Sequence, residues 1–307
     1  MRATSMLSGL GYATLRAAGL PALSRSLSRG GLILGYHNVL RERHTPPPGD
    51  PGLHLPGDRF HAQMEWLARH YEVIPLAELV ARMLVGRPLR GLVALTFDDG
   101  YDGVFDAALP ILRSLGLPAT LFVVGAAPDI GRPFWWDHPA VVAADPDTHR
   151  WAWLETLRGD GPVILQSLGA PTDPPANGIP RSATWQTIAA AAGHGIDLGA
   201  HSLTHRTLTR LDDAELAVEL ERGRDFIVHH TGVRPVLFAY PYGHWDRRVR
   251  DEVQHAGYAA AVTLDPGFIA GTDDPWSLKR LNIPAGLGQA GYACWLAGIR
   301  RPAVAWA

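Results

Sequence analysis

The sequence predicts an α/β fold in which a parallel sheet closes into a barrel or partial barrel. Three observations predict it. Short apolar runs suited to buried strands alternate with helix-spaced amphipathic segments over roughly 250 residues. Gly and Pro punctuate the joins between them. The polar residues that interrupt this pattern, His37, Asp98, Asp99, His201 and Tyr240, all fall at the C-terminal ends of predicted strands, which is where such folds place their sites.

The elements follow in order. Gly31 to His37 reads as a first strand ending in a polar residue, and the Pro- and Gly-rich stretch from Thr45 to Gly57 reads as a loop. Phe60, Met64, Leu67 and Ala68 recur at helical spacing, which predicts a helix from Phe60 to His70. Tyr71 to Ile74 is a short strand and Leu76 to Leu84 a second helix. Leu92 to Phe97 is a buried strand. Ala107 to Leu115 is a helix closed by Gly116, and Ala119 to Val124 the next strand. The stretch from about 126 to 183 reads as an irregular insertion, with Trp135, Trp136, Trp151 and Trp153 and a Pro-rich patch from Pro171 to Pro180. Such an insertion suits substrate contact, with Trp135 and Trp136 as the candidates. Trp185 to Ala192 is a helix, and Asp197 to Ala200 a strand ending at His201. Ala214 to His230 is a long helix after an acidic start, Asp212-Asp213, that suits the helix dipole. Val236 to Tyr240 is a strand, Val249 to Ala256 a helix, and Tyr258 to Thr263 and Leu278 to Ile283 are the last strands.

Composition sets the boundaries of the reading. With 307 residues, 47% hydrophobic and 19% charged, the chain can bury a sizeable core, expected as one catalytic domain over 31–307 behind an N-terminal segment, 1–30. The 28 basic and 30 acidic residues leave a net charge of −2, which argues against nucleic acid as a partner. The lone cysteine, Cys294, rules out an intrachain disulfide and is expected to be a small buried hydrophobe. No run approaches the ~20 apolar residues needed to span a bilayer. Met1 to Arg29 is acid-free and carries Arg2, Arg16, Arg25 and Arg29. Arg16 breaks the apolar run that a secretory signal needs, so a cytoplasmic chain is expected. This segment is expected to pack on the domain as a helix, with an anionic inner membrane surface as the alternative partner.

The chemistry concentrates in two strings. Thr96-Phe97-Asp98-Asp99-Gly100 puts two carboxylates at a strand end, where one can hold a cation while its neighbour moves a proton. His201-Ser202-Leu203-Thr204-His205 puts two imidazoles four positions apart. One Asp with two His is a usual ligand set for a catalytic divalent metal with an open position, so the two strings point to metal-assisted hydrolysis. Taken alone, the acid pair would be a turn and helix cap.

From Tyr36 to Ile283 the chain resembles the polysaccharide deacetylase family, the NodB-homology carbohydrate esterases. The resemblance is carried by Tyr36-His37, Phe60 to Met64, Leu95 to Tyr101, Leu117 to Phe122, Gly193 to His205, and Phe238 to Gly243 with its Tyr-Pro-Tyr-Gly. It implies a distorted (β/α) barrel that removes acetyl groups from N-acetylated sugars. It implies Asp99, His201 and His205 as metal ligands, Asp98 as general base, and the Tyr242 N–H as oxyanion donor in a turn shaped by Pro241 and Gly243, with Tyr240 to Gly243 lining the substrate site. Zinc is the expected metal, with cobalt, nickel or manganese as alternatives.

The chain departs from the family pattern twice. Where many members carry an arginine that orients the base, this chain has Ala239 before Tyr240, and Arg280 is the expected substitute, paired with Asp98. The late Leu-x-His of many members is missing, and His37 is the expected general acid, because imidazole titrates near neutrality. His244 is a weaker candidate. Two alternatives stay open: hydrolysis of another amide, such as a formamide or cyclic imide, and an inactive sugar-binding homologue.

Overall fold

The computed structural model describes residues 2–41, 49–130, 133–172 and 178–300. Residues 45–48 of the predicted loop and 173–177 of the Pro-rich patch lie outside the described residues. Two helices lead the chain, α1 (Arg2–Ala17) and α2 (Leu20–Leu27), and β1 (Leu32–Tyr36) follows. A small parallel pair, β2 (Asn38–Leu40) and β3 (His54–Pro56), precedes α3 (Gly57–His70), β4 (Glu72–Val73), α4 (Leu76–Leu84) and β5 (Leu92–Phe97). Next come α5 (Leu109–Ser114) and β6 (Ala119–Val123). The insertion holds α6 (Ala127–Ile130), α7 (Pro139–Ala143), α8 (Pro146–Trp151) and α9 (Gly161–Ser167). The chain continues with α10 (Trp185–Ala191), β7 (Ile196–Ala200), α11 (Asp213–Thr231), β8 (Leu237–Ala239), α12 (Arg247–His255), β9 (Ala260–Val262), β10 (Leu281–Asn282) and α13 (Gln289–Leu296).

The main sheet is parallel throughout and runs β10-β1-β5-β6-β7-β8-β9. β5 changes partner along its length, pairing with β4 at Leu92 and Val93 and with β6 at Thr96 and Phe97. A parallel bridge from Val262 to Leu278 ties β9 to the segment leading into β10, so the sheet curls into a partial barrel. All six residues of β5 are buried, which is why its sequence is apolar without alternation. Val93, Leu95 and Phe97 join Leu34, Leu121 and Leu198 on one side, while Ala94 joins Ile33, Phe122 and Leu237 on the other.

Three sequence expectations are corrected, and one element was not expected. The insertion is largely helical; its helices of four to seven residues are too short for helical periodicity to register, and Val141, Trp153, Ile164 and Leu165 give them a small core of their own. The predicted loop contains β3. The predicted helix from Ala107 is split, with a π-helical turn over Val104–Ala108 ahead of α5. Pro110 has no N–H to give the Asp106 carbonyl, which accepts from Arg41 at 3.1 Å instead. Finally, α13 escaped notice because it has no polar stripe: Tyr292, Ala293, Cys294 and Leu296 are all buried. Burial of Cys294 matches expectation. α1 packs on α13, where the Trp295 indole N–H donates to the Tyr12 hydroxyl at 3.0 Å.

Candidate active site

The ends of β1, β5, β7 and β8 meet at one rim of the sheet. Asp98 follows β5 and its N–H donates to Tyr36 O at 2.9 Å, which fixes the strand end. Asp99 then takes a left-handed backbone, φ 72°, and so turns its side chain out of the strand direction. His201 follows β7. The loop after it carries Ser202 (φ 63°) and His205 (φ 61°), and Tyr242 after β8 has φ 59°. Left-handed non-glycine residues cost energy and cluster where a site demands them. Of the six in the described residues, these four belong to this rim.

The histidine loop is held from behind by α11. Buried Glu219 accepts from the N–H groups of Leu203 (3.0 Å) and Thr204 (2.9 Å), and from the Thr204 hydroxyl. The Ser202 hydroxyl accepts the His205 N–H at 3.0 Å. Gly223 on α11 lets the helix touch the loop: a Cβ there would lie 2.7 Å from the Ser202 carbonyl.

Three donor atoms converge. Asp99 Oδ1 lies 3.6 Å from His201 Nε2 and 3.4 Å from His205 Nε2, and the two Nε2 atoms are 3.1 Å apart. Donors around a tetrahedral zinc at about 2.0–2.1 Å stand roughly 3.3 Å from one another, so this triangle has the right size. The His201 Nδ1–H donates to Ala239 O at 2.7 Å, which leaves the Nε2 lone pair facing the site. Burial lowers both imidazoles below their ordinary value and keeps them neutral, the ligating form. Burial also pushes Asp99 up, and the charges of Asp98 and Asp137 push it further, while Asp99 Oδ1 is buried with no hydrogen-bond partner. An orphaned oxygen in an acid pair, faced by two neutral imidazoles and relieved only in part by the Arg280 charge, is an environment short of positive charge. The residues present therefore fit a divalent metal.

Asp98 is handled differently. Arg280 is fully buried and meets it with two bonds, Nη1 to Oδ1 at 2.6 Å and Nη2 to Oδ2 at 2.7 Å. Thr96 Oγ1 (3.2 Å) and Thr263 O (3.0 Å) accept two further Arg280 hydrogens. Burial alone would raise the Asp98 carboxyl, but Arg280, then His201 and His37, outweigh it and hold the group well below the usual carboxylate range. A carboxylate held that low accepts a proton only from a donor that is itself acidified.

The other expected residues divide. His37 Nε2 lies 4.0 Å from Asp98 Oδ2. Burial is the largest influence on it and pushes its pKa down to about 4, so the near-neutral titration expected of this ring does not hold. Tyr242 and Trp136 stand over His205, with ring centroids 4.5 and 4.7 Å from it, and Trp135 donates to the Tyr242 hydroxyl at 3.3 Å. Tyr240 corrects its expectation as a substrate contact. Its ring is fully buried and its hydroxyl donates to Trp276 O at 2.6 Å, so the side chain serves the core. Pro241 is buried as well, and Gly243 (φ 73°) packs its backbone against Leu264, so these two shape the turn. His244 lies beside Glu155, at 3.8 Å.

Sequence reasoning missed a buried network that leans on this rim. Asp137, from the insertion, accepts from His54 Nε2 at 2.9 Å, from the Asp50 N–H at 2.8 Å and from the Tyr101 hydroxyl. The Trp136 indole N–H donates to the same hydroxyl at 2.8 Å, and the Asn38 amide donates to His54 Nδ1 at 3.1 Å. The network ties the strand after His37 to the tryptophan over His205. Its members are far apart in sequence and match no motif; the only signal was Asp137 directly after Trp135-Trp136.

Known proteins resemble this chain in sequence and in fold. The chain is 20% identical to YxkH of Bacillus subtilis over 270 residues, 87% of this chain and 76% of that one. It is 26% identical to the poly-beta-1,6-N-acetyl-D-glucosamine N-deacetylase of Escherichia coli over 250 residues, 78% of this chain but 34% of that enzyme's length. Among solved structures it resembles the Streptococcus pyogenes deacetylase PplD, with TM-score 0.63 and 17% identity over 90% of this chain and 100% of that one. IcaB from Ammonifex degensii gives TM-score 0.62 and 19% identity over 89% and 97%. These structural likenesses establish the partial-barrel fold. The family model for polysaccharide deacetylase matches residues 86–261. That span exceeds half of the chain and runs through the acid pair, the histidine loop and the turn after β8; the chain belongs to the polysaccharide deacetylase family.

Proposed function

We propose that the protein is a metal-dependent hydrolase that removes N-acetyl groups from an amino sugar in a polysaccharide, oligosaccharide or lipid-linked glycan. One observation carries the reading. Three donors from Asp99, His201 and His205 converge 3.1–3.6 Å apart beside Asp98, a carboxylate kept ionised by a buried arginine. Zinc suits these nitrogen and oxygen donors, with cobalt, nickel or manganese as alternatives. When bound, such a metal supplies a Lewis acid for the acetyl carbonyl and acidifies the attacking water.

The chain's own residues supply the rest. Asp98 takes the proton of the attacking water, and Arg280 holds both its oxygens so that the accepting lone pair keeps one direction. His37, uncharged at rest, relays that proton from Asp98 to the departing amine nitrogen. The Tyr242 N–H donates to the oxyanion as the carbonyl becomes tetrahedral; the neighbouring N–H groups of Gly243 and His244 are used within the turn, on Tyr240 O and Pro241 O. The rings of Trp136 and Tyr242 wall the acetyl group and exclude bulk water. The Escherichia coli relative makes β-1,6-linked N-acetylglucosamine oligomers the first substrates to try. A cytoplasmic location, at the inner membrane surface, completes the proposal.

The test is acetate release from a panel of N-acetylated sugars and oligosaccharides by metal-loaded protein, by chelated protein and by Asp98→Asn. Release from the loaded wild type alone supports the reading. Release that survives chelation, or no release on any sugar by protein with its metal bound, overturns it.

A further inference from the structure

Among the described residues, α2 carries an apolar stripe that stays largely exposed. Leu20, Leu23 and Leu27, at i, i+3 and i+7, share one face and are 40%, 57% and 72% exposed. The helix itself is anchored on its other face. Pro21 is buried, the Ser24 hydroxyl donates to Ala297 O at 2.6 Å, and Arg90 donates to Ser26 O. The Arg25 guanidinium lies over Trp66 and Tyr71, 5.8 and 5.7 Å from the ring centres. The leucines are thus displayed by a fixed helix. Leu84 and Val85, at the end of α4 that precedes β5, are 57% and 70% exposed at the same end of the sheet.

Charge decides what this face suits. Arg16, Arg29, Arg87 and Arg90 are exposed. Residues 1–30 contain four arginines and no Asp or Glu. A second copy of the chain on this face would bring like charges together. An anionic lipid surface complements it: leucines enter the boundary between headgroups and acyl chains, and guanidinium groups meet phosphates. Among the described residues no helix is long and apolar enough to cross a membrane. We propose that the α2 leucine face docks the protein on the surface of an anionic bilayer. α2 enters β1 at its N-terminal end, whereas His37, Asp98 and His201 lie past the C-terminal ends of their strands. The docked protein therefore turns its site away from the bilayer, toward glycan that stands clear of the headgroups.

The experiment is sedimentation of the full chain with vesicles of phosphatidylcholine containing about a third phosphatidylglycerol, and with phosphatidylcholine alone. Wild type is expected to pellet with the anionic vesicles only, and to be released as salt rises to ~0.5 M. The Leu23→Asp/Leu27→Asp double variant is expected to lose at least about tenfold in partitioning, with an unchanged melting curve. Arg29→Glu, which leaves the leucines in place, is expected to weaken binding several-fold. Failure of wild type to pellet with anionic vesicles overturns the proposal, as does pelleting of the double variant like wild type. A lipid-free wild-type dimer that the double variant dissociates also overturns it, because the face then belongs to a second copy.

Discussion

Asp98 and Asp99 are adjacent and equally buried, yet their surroundings push them in opposite directions. Arg280 keeps Asp98 ionised at rest, while Asp99 has an orphaned oxygen and no cation bonded to it. Asp98→Asn keeps the shape and removes the proton acceptor. It should lower kcat by about 10²–10⁴, with metal content by elemental analysis unchanged. Arg280→Ala strands a buried carboxylate and should cost about 3–5 kcal/mol in denaturant unfolding, besides activity. Arg280→Lys should recover part of the stability, because it restores the charge without the two-pronged grip. The acid pair and His201 were legible because each sits at a strand end in a recognisable string, His205 because it falls four positions after His201, and Arg280 from the family resemblance, beside a late strand. Tyr240 misled because its string marks a turn, and alternation along β8 sends that ring into the core. Trp136 was legible only as an aromatic in an insertion; its place over His205 depends on Tyr101 and Asp137, which no local pattern links to it.

The histidine loop owes its shape to α11 behind it. Asp212 and Glu215 cap that helix reciprocally and Gly232 closes it at φ 71°. Gly223→Ala would press a methyl group against the Ser202 carbonyl and should destabilise the protein by about 1–3 kcal/mol. It should also weaken metal affinity, measurable by chelator competition. The insertion reaches the site in another way. Asp137→Asn leaves the volume intact but replaces one acceptor oxygen with a donor facing His54 or Tyr101. Release of Trp136 should follow, read as a change in tryptophan fluorescence and, with an identified substrate, a rise in KM larger than the fall in kcat. An unchanged spectrum would mean that Trp136 is held by packing alone. Elements longer than about eight residues were legible from their periodicity, and the short helices of the insertion were not, because a single turn samples too few positions to show a face.

Across the whole molecule, partial closure of the sheet depends on the segment between β9 and β10. Arg250 of α12 grips Asp274 there through two bonds of 2.8 Å. The hydrogen bonds from Arg250 are the main influence on Asp274 and lower its pKa below the usual value. A carboxyl lowered in the folded state stabilises the protein above its unfolded pKa, near 4, and loses that contribution as pH falls through the folded value. Asp274→Asn should therefore lower the melting temperature at pH 7, and the gap to wild type should close below about pH 4. The pair is partly exposed, so roughly 1 kcal/mol or less is expected after solvent screening. The partial-barrel class was legible in the alternation of elements, whereas the shift of β5 from β4 to β6 was not, because pairing between short strands leaves no mark on either sequence. The left-handed backbone at the rim has a further consequence for how this chain can drift. Asp and His are among the side chains that tolerate such a conformation, so at 99 and 205 the requirements of the backbone and of the chemistry coincide. Tyrosine is not among them, and a descendant released from its chemistry would gain by exchanging Tyr242 for glycine. The tyrosine at 242 is held in this conformation at a cost to the backbone.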